Sequence, residues 1–130
     1  MPGACFGARR LARVALYLTE ADVEALVTPA DAVEVVEACF QRMARGVVEL
    51  APRRRLQLEE GRLADMAAAD LELGTAGGKL YAGFSDGAAF VVVIFSARRP
   101  EVLGVVEADH LGHRLAPAGD VLAGLLDAGG

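Results

Sequence analysis

Two cations stand in runs that are typical of β-strands, and these cations are the residues of the chain best suited to chemistry. Arg54 lies in the run Pro-Arg-Arg-Arg-Leu-Gln-Leu, and Lys79 lies in Gly-Gly-Lys-Leu-Tyr-Ala-Gly-Phe. A buried cation is costly unless an anion meets it. Each position therefore indicates either a structural ion pair or a pocket for an anionic ligand. For Lys79, a solvated strand lysine is a further alternative.

The basic run Arg53 to Arg55 offers three guanidinium groups, and a guanidinium is well shaped to hold a carboxylate at two points. Strand alternation places Arg53 and Arg55 on one face of a sheet and Arg54 on the other. The three side chains therefore cannot all serve one pocket. A solvated strand end is the ordinary interpretation of such a run.

Other motifs of catalysis or metal binding are not supported by the sequence. Lys79 follows two glycines, but Leu73 and Leu80 stand where a phosphate-binding loop needs Gly and Ser or Thr. His110 and His113 have a spacing that two helical metal ligands use, yet no third ligand type clusters with them. There is no GxGxxG motif. We therefore predict no metal site and no dinucleotide site in this chain.

Two helices are predicted near the start of the chain. Thr19, with Asp22 as its capping-box partner, begins a short helix that runs to about Val27. Thr28 caps a second helix that carries Pro29 at its first position and ends at Gly46. The second helix has an apolar stripe at the three-and-four spacing of a buried face: Ala32, Val35, Val36, Cys39, Phe40 and Met43.

The remaining pattern predicts strands joined by short turns. Glu60-Gly61 and Ser85-Asp86-Gly87 mark turns, and short connections favour antiparallel pairing. The run 90–96 is almost continuously apolar, which predicts a central strand covered on both faces. We expect an α+β fold, with two N-terminal helices packed on a mainly antiparallel sheet of about five to six strands and a C-terminal helical segment over 111–126. The predicted strands are 16–18, 54–59, 62–68, 75–84, 90–96 and 102–107.

Composition limits the classes of function. A chain of 130 residues with 54% hydrophobic and 24% charged residues fits one globular domain. A net charge of -5 gives no basic footprint for nucleic acid, and no apolar run is long enough to span a membrane. Two cysteines are too few for a disulfide framework. We expect a cytoplasmic protein that binds neither nucleic acid nor membrane.

A series of short motifs resembles the ornithine cyclodeaminase/mu-crystallin family. The series runs from Leu-Tyr-Leu-Thr-Glu-Ala-Asp-Val through Pro-x-Arg, Asp-Met and Gly-x-Lys to Val-Glu-Ala-Asp-His-Leu, in that order. The likeness covers about residues 16–112. Residues 1–15 are interpreted as a loose N-terminal extension, and residues 113–130 as a divergent tail.

The resemblance implies the substrate-binding and dimerisation half of a two-domain, NAD(P)-dependent enzyme. Members of the family convert L-ornithine to L-proline and ammonia, or reduce related imino acids. By resemblance, Arg54 would hold the substrate carboxylate, Lys79 would act beside the reacting carbon, and Met66 would line the pocket. The implied partners are a small amino or imino acid and a second copy of the chain in a homodimer.

The sequence also departs from the family pattern. It ends where the nucleotide-binding domain would begin, so NAD(P) is implied by the family but is not bindable by this chain alone, and we expect the chain to be inactive alone. Leu115 stands where the family usually has a second carboxylate-binding arginine, and Ala67 follows Met66 where Pro is usual. A reading-frame shift near residue 113 would explain the tail. A non-catalytic dimerisation or ligand-binding module, and a separately encoded nucleotide-binding partner, are the alternative interpretations.

Overall fold

A single six-stranded sheet forms most of the computed structural model, which describes residues 15–109. Two helices precede its long strands, so the predicted α+β class is confirmed. The predicted C-terminal helix, His110 and His113 lie outside the described residues. In chain order the elements are β1 (Leu16–Leu18), α1 (Glu20–Leu26), α2 (Pro29–Ala44), β2 (Val48–Gln57), β3 (Gly61–Asp70), β4 (Thr75–Phe84), β5 (Gly87–Ser96) and β6 (Val102–Glu107).

The strands are ordered β1-β6-β5-β4-β3-β2. Strands β2 to β6 follow one another as an antiparallel meander, because short turns between consecutive strands return the chain beside itself. β1 instead pairs parallel with β6, which the intervening helices and strands allow. β2 and β3 are longer than predicted, because the residues of the two strands pair over the whole length from Val48–Asp70 to Gln57–Arg62.

The caps of both helices follow the sequence pattern. Thr19 and Asp22 form a capping box at α1, and Thr28 and Asp31 form another at α2. Gly46, with a φ of 75°, follows the end of α2 in the left-handed region that glycine favours. These local signals therefore place both helices correctly.

The predicted buried stripe of α2 is only partly confirmed. Ala32 is 1% exposed, and Cys39 is partly buried. Val35 and Met43, in contrast, are 59% and 36% exposed, so their predicted burial is wrong. α2 crosses the sheet near its β2 and β3 end, and a narrow contact of this kind covers fewer positions than a full helical face.

Alternation along the strands divides the sheet into two faces. Residues that lie directly opposite one another on neighbouring strands share a face. We call the face that carries the partners Met66, Lys79 and Val92 the inner face, because Cys39 of α2 lines a cavity there together with Met66 and Lys79. The outer face carries the next row of partners: Arg54, Asp65, Leu80 and Val91.

Large apolar side chains of the outer face are exposed within residues 15–109. Leu56, Leu80 and Phe95 are 65%, 44% and 44% exposed on it. β5 is central in the sheet as predicted, but the prediction that both of its faces are covered is wrong. The continuous apolar run of β5 therefore includes outer-face side chains that stay partly exposed in the described fold.

An ion pair fixes the end of α2 to the sheet. Arg42 Nε lies 2.6 Å from Asp70 Oδ2, and both side chains are 13% exposed. Asp70 Oδ1 also accepts a hydrogen bond from the Leu73 backbone N–H at 3.0 Å. That backbone hydrogen bond, together with Arg42, lowers the pKa of Asp70 although partial burial opposes the shift. The Arg42–Asp70 ion pair therefore helps to hold α2 over the inner face while the carboxyl group of Asp70 is ionised.

Gly77 lies where the backbones of β4 and β5 approach closely. A Cβ added at Gly77 would lie 2.5 Å from the Val93 carbonyl oxygen, which belongs to the backbone and cannot move away cheaply. A Cβ added at Gly83 in the same strand would meet nothing within 4 Å. Position 77 therefore requires glycine for steric reasons that position 83 does not share.

We expect Gly77→Ala to destabilise the protein by about 1–3 kcal/mol, because the new methyl group must displace the β5 backbone. The matched variant Gly83→Ala should change the free energy of unfolding by less than about 1 kcal/mol. Urea unfolding followed by circular dichroism measures both values. Equal effects of the two variants would contradict the steric explanation.

We expect Asp70→Asn to lower the urea midpoint at pH 7, because the variant loses the charge that meets Arg42. Since the pKa of Asp70 is lowered by folding, its stabilising effect is present above the usual aspartate pKa of about 3.9 and is lost as the pH falls through the lower folded value. The difference between wild type and variant should therefore vanish in acid. Glu72→Gln is the control, since the Arg45–Glu72 pair is exposed and its removal should change little. A constant difference at all pH values would exclude the charge as the cause.

Candidate functional site

Lys79 lies on the inner face above two aromatic rings. Its Nζ is 4.6 Å from the Phe90 ring centroid and 5.6 Å from that of Tyr81. The two rings stack on each other, with centroids 5.0 Å apart and planes inclined by 27°. The negative ring faces attract the ammonium group, so the half-buried lysine is held in place without a carboxylate.

Arg53 reaches the same place from β2. Its Cζ lies 6.0 Å from the Tyr81 ring centroid, at the outer limit of a cation–π contact. Tyr81 is two residues from Lys79 in β4, so the two share a face, and Arg53 therefore lies on the inner face with them. Two cations thus converge on one tyrosine ring.

A β-bulge decides which arginine joins Lys79. The register of β2 against β3 shifts between Ala51 and Arg54: three steps along β2 correspond to two along β3, from Ala67 to Asp65. The extra residue sends Arg53 to the inner face and returns Arg54 to the outer one. Alternation alone predicts that Arg53 and Arg54 differ in face, but it does not predict which of them meets Lys79.

Arg54 forms an ion pair on the outer face. Its Nη2 lies 2.8 Å from Asp65 Oδ2, and its Nε lies 3.3 Å from Asp65 Oδ1. The hydrogen bond and the charge of Asp65 raise the pKa of Arg54. The Arg54 side chain is 81% exposed, so the expectation that it is a buried cation is wrong, and the ion-pair alternative is the one the structure has. The Arg54 side chain is on the other face from that of Lys79, although Arg54, Met66 and Lys79 all line a cavity of about 580 Å³.

Lys79 and Arg53 have no anionic partner within the part of the chain that the structure describes. No carboxylate there lies within 4.0 Å of either cation, and neither donates a hydrogen bond to another described residue. Their contacts are to aromatic rings instead. The pair therefore leaves charge and hydrogen-bond donors available to an anion.

A cavity of about 430 Å³ adjoins Lys79 between α2 and the sheet. Met66, directly opposite Lys79 on β3, lines this cavity, and Val92 of β5 lies on the other side of Lys79. Asp70 lines the far end but is engaged by Arg42. The cavity is thus largely apolar with a cation at one end, which suits a small ligand that carries one anionic group.

Three of these residues were missed as site residues by sequence reasoning. Phe90 was placed only as part of the predicted central strand, Tyr81 was not singled out, and Arg53 was placed only by alternation. The spacing of Lys79 and Tyr81 at two residues in one strand was a usable signal, since it places both on one face. The contact of Phe90 with Lys79 depends on the register of β4 against β5, which cannot be derived from local sequence patterns.

Residues 15–109 contain neither a metal-binding cluster nor a helix that could span a membrane. No group of three or more His, Cys, Asp or Glu side chains is arranged to hold a metal ion there. Neither α1 nor α2 is long and apolar enough to cross a membrane. The chemistry of the described residues therefore centres on Lys79.

Comparison with solved structures gives clear matches, whereas no protein-family model and no curated protein matches the sequence. A probable ornithine cyclodeaminase from Bordetella pertussis Tohama I superposes with a TM-score of 0.79 at 31% identity, over 85% of this chain and 35% of that one. An archaeal alanine dehydrogenase dimer with bound NAD gives a TM-score of 0.75 at 25% identity, over 80% and 34% of the two chains. The iminosuccinate reductase of Paracoccus denitrificans in complex with NAD+ gives 0.77 at 21% identity, over 82% and 36%.

The chain therefore spans about a third of the length of the proteins that it matches. The resemblance seen in the sequence motifs is confirmed by these superpositions. The chain therefore has the fold of the ornithine cyclodeaminase/mu-crystallin family.

Proposed function

We propose that this chain is the substrate-binding portion of an NAD(P)-dependent enzyme that converts L-ornithine to L-proline and ammonia, or that reduces a related imino acid. The observation that carries the proposal is Lys79, which lines an apolar cavity, together with Arg53, which approaches the same Tyr81 ring. Neither cation has an anionic partner among the described residues. A small amino or imino acid supplies the carboxylate that such a site requires. NAD(P) enters as the cofactor of the family, and no described residue is assigned to it.

The proposed roles follow from position. Lys79 donates hydrogen bonds to the carboxylate or the imine of the substrate, since its ammonium group has three donors and no carboxylate in contact with it. Met66, opposite Lys79, provides an apolar wall. The family resemblance assigns the carboxylate to Arg54, but the contacts favour Arg53, because Arg54 is on the other face and already paired with Asp65.

Calorimetric titration of the 130-residue protein with pyrroline-2-carboxylate, L-proline and L-ornithine tests these roles. We expect Arg53→Ala and Lys79→Gln each to weaken binding by at least about tenfold, because a hydrogen bond to a charged group contributes about 1.5–3 kcal/mol. Arg54→Ala is the matched control and should leave the affinity unchanged.

The same titration can reject the assignment. Loss of binding in Arg54→Ala with retention in Arg53→Ala would restore the role that the resemblance gives to Arg54. No binding of any of the three ligands to the wild-type protein would reject the proposed function.

The outer face supports a second proposal, homodimerisation, which is compatible with the first. Leu56, Leu80 and Phe95 expose apolar surface there, and a trough of about 580 Å³ passes between Leu80 and Phe95 over the small residue Gly78. A large exposed apolar face on a soluble protein marks an interaction site. Such a face is also suited to a twofold contact, in which each copy offers the same surface.

We expect Phe95→Asp to shift the protein from dimer to monomer in size-exclusion chromatography with light scattering, because the variant places a charge in the apolar contact. Val35→Asp is the control, since Val35 is an equally accessible apolar residue on α2, away from the outer face. A wild-type protein that stays monomeric at high concentration would contradict this second proposal.

A further inference from the structure

The backbone ladder between β5 and β6 stops one residue short of Phe90. Its last partners at this end are Val91 and Glu107. One further step would pair Phe90 with Ala108, and a hydrogen-bonded antiparallel pair exchanges two N–H···O bonds. The backbone supplies one of these two bonds, since the Ala108 N–H donates to the Phe90 carbonyl oxygen at 3.2 Å. The Phe90 N–H therefore needs an acceptor from elsewhere.

The side chain of Asp109 supplies that acceptor. Its Oδ1 accepts the Phe90 backbone N–H at 3.0 Å, and the hydrogen bond is partly buried. A carboxylate thus stands where a backbone carbonyl would complete the pair, and a hydrogen bond to a charged acceptor is stronger than one between neutral groups. Since Phe90 also pairs with Tyr81 on its other side, its backbone is held from both neighbouring strands.

Phe90 in turn holds Lys79. Lys79 lies opposite Val92, so Phe90, two residues earlier in β5, is its diagonal neighbour on the inner face. The Lys79 Nζ lies 4.6 Å from the Phe90 ring centroid, closer than the 5.6 Å to that of Tyr81. This attraction requires the ring face to stay against the ammonium group. The position of the Phe90 backbone therefore decides where the ammonium group rests.

Asp109 is itself held by contacts that join β1 and α1 to the end of β6. Glu20 Oε1 accepts the Asp109 backbone N–H at 2.7 Å. Glu107 Oε2 accepts the Glu20 backbone N–H at 3.0 Å, and Glu107 Oε1 accepts the Tyr17 hydroxyl at 2.8 Å. We call Tyr17, Glu20, Glu107 and Asp109 the clasp. The clasp joins the first and last motifs of the series found in the sequence, to which no function has yet been assigned.

We propose that Asp109 is a positioning residue for the Lys79 site: its carboxylate fixes the Phe90 backbone, and the Phe90 ring fixes the ammonium group. Asp109 does not line the cavity of about 430 Å³ beside Lys79, so it acts through Phe90 and not on the ligand. The inference rests on the proposed function only where it concerns ligand binding, because the position of the ammonium group can be measured without a ligand.

Lys79 is the only lysine of the chain, which makes that measurement direct. The 130-residue protein labelled with ¹³C-lysine gives one set of lysine signals in an NMR spectrum. Ring currents move the signals of protons above a ring face upfield, so the Cε protons of Lys79 report their position over Phe90. Phe90→Leu removes the ring and gives the signal expected when this contact is lost.

We expect Asp109→Ala to move the Lys79 Cε proton signals downfield, toward their position in Phe90→Leu. Asp109→Asn should keep them close to wild type, because its amide oxygen still accepts the Phe90 N–H. Asp109→Glu keeps the charge but misplaces the acceptor, and should also move the signals downfield. It carries the test if Asp109→Ala does not fold by circular dichroism.

Tyr17→Phe separates positioning from stability. It removes a hydrogen bond of the clasp but not the one that holds Phe90. We expect it to lower the urea midpoint without moving the Lys79 signals. If its Lys79 signals moved as far as those of Asp109→Ala, general loosening of the clasp would replace the specific role of Asp109.

Titration with pyrroline-2-carboxylate measures the consequence for binding. Asp109→Ala should bind it about fivefold more weakly than wild type, because a freed long side chain must then be ordered on binding. Asp109→Asn should bind it with nearly wild-type affinity.

The two measurements fail separately. Unchanged Lys79 signals in a folded Asp109→Ala or Asp109→Glu protein, or equal displacement in Asp109→Asn, would overturn the inference whatever the ligand does. Displaced signals in Asp109→Ala, together with no binding of pyrroline-2-carboxylate to wild type, would support the positioning of the lysine and reject the proposed function.

Discussion

The register of the antiparallel ladder is the constraint on which the rest of the molecule depends. Met66 lies opposite Lys79, and Lys79 lies opposite Val92, so these three side chains share the inner face. The next row, Asp65 and Leu80, points the other way. A slip of one residue between β3 and β4 would place Leu80 beside Met66 and send Lys79 to the opposite face. The site and the apolar outer face are therefore two consequences of one pairing pattern.

The bulge in β2 shows how a single residue changes the chemistry of a face. Without the register shift after Ala51, alternation would carry a different arginine toward Lys79. With it, Arg54 meets Asp65 and becomes a structural ion pair, while Arg53 remains without an anion in the described chain. The two adjacent arginines thus have different roles. Arg54 neutralises Asp65 on the outer face, and Arg53 adds positive charge to the inner face.

Features that depend on neighbouring residues could be predicted from the sequence, and features that depend on distant pairing could not. The capping boxes at Thr19 and Thr28, and the bounds of β4, follow from local patterns and are confirmed. The family resemblance implies that Met66 and Lys79 share a substrate pocket, which stays a prediction; in the structure the two residues lie opposite one another on β3 and β4. The exposure of Val35 and the open outer face were not predicted, because an apolar pattern indicates that a residue can be buried but not what covers it. The contact of Arg53 with Tyr81 was not predicted, because it depends on the exact position of the bulge.

The aromatic pair explains how two cations persist close together before any anion binds. Stacked rings present a negative face that lessens the cost of holding Lys79 in a half-buried position, but they remove no charge. An ion pair, as at Arg54 and Asp65, would neutralise the group and reduce its attraction for a ligand. The rings therefore fix the position of the ammonium group while leaving its charge available.

Since Leu80 follows Lys79 directly in β4, a partner on the outer face would also restrain the strand that carries the ammonium group. The proposed ligand binding on one face and the proposed association on the other would thus be linked through the backbone of a single strand.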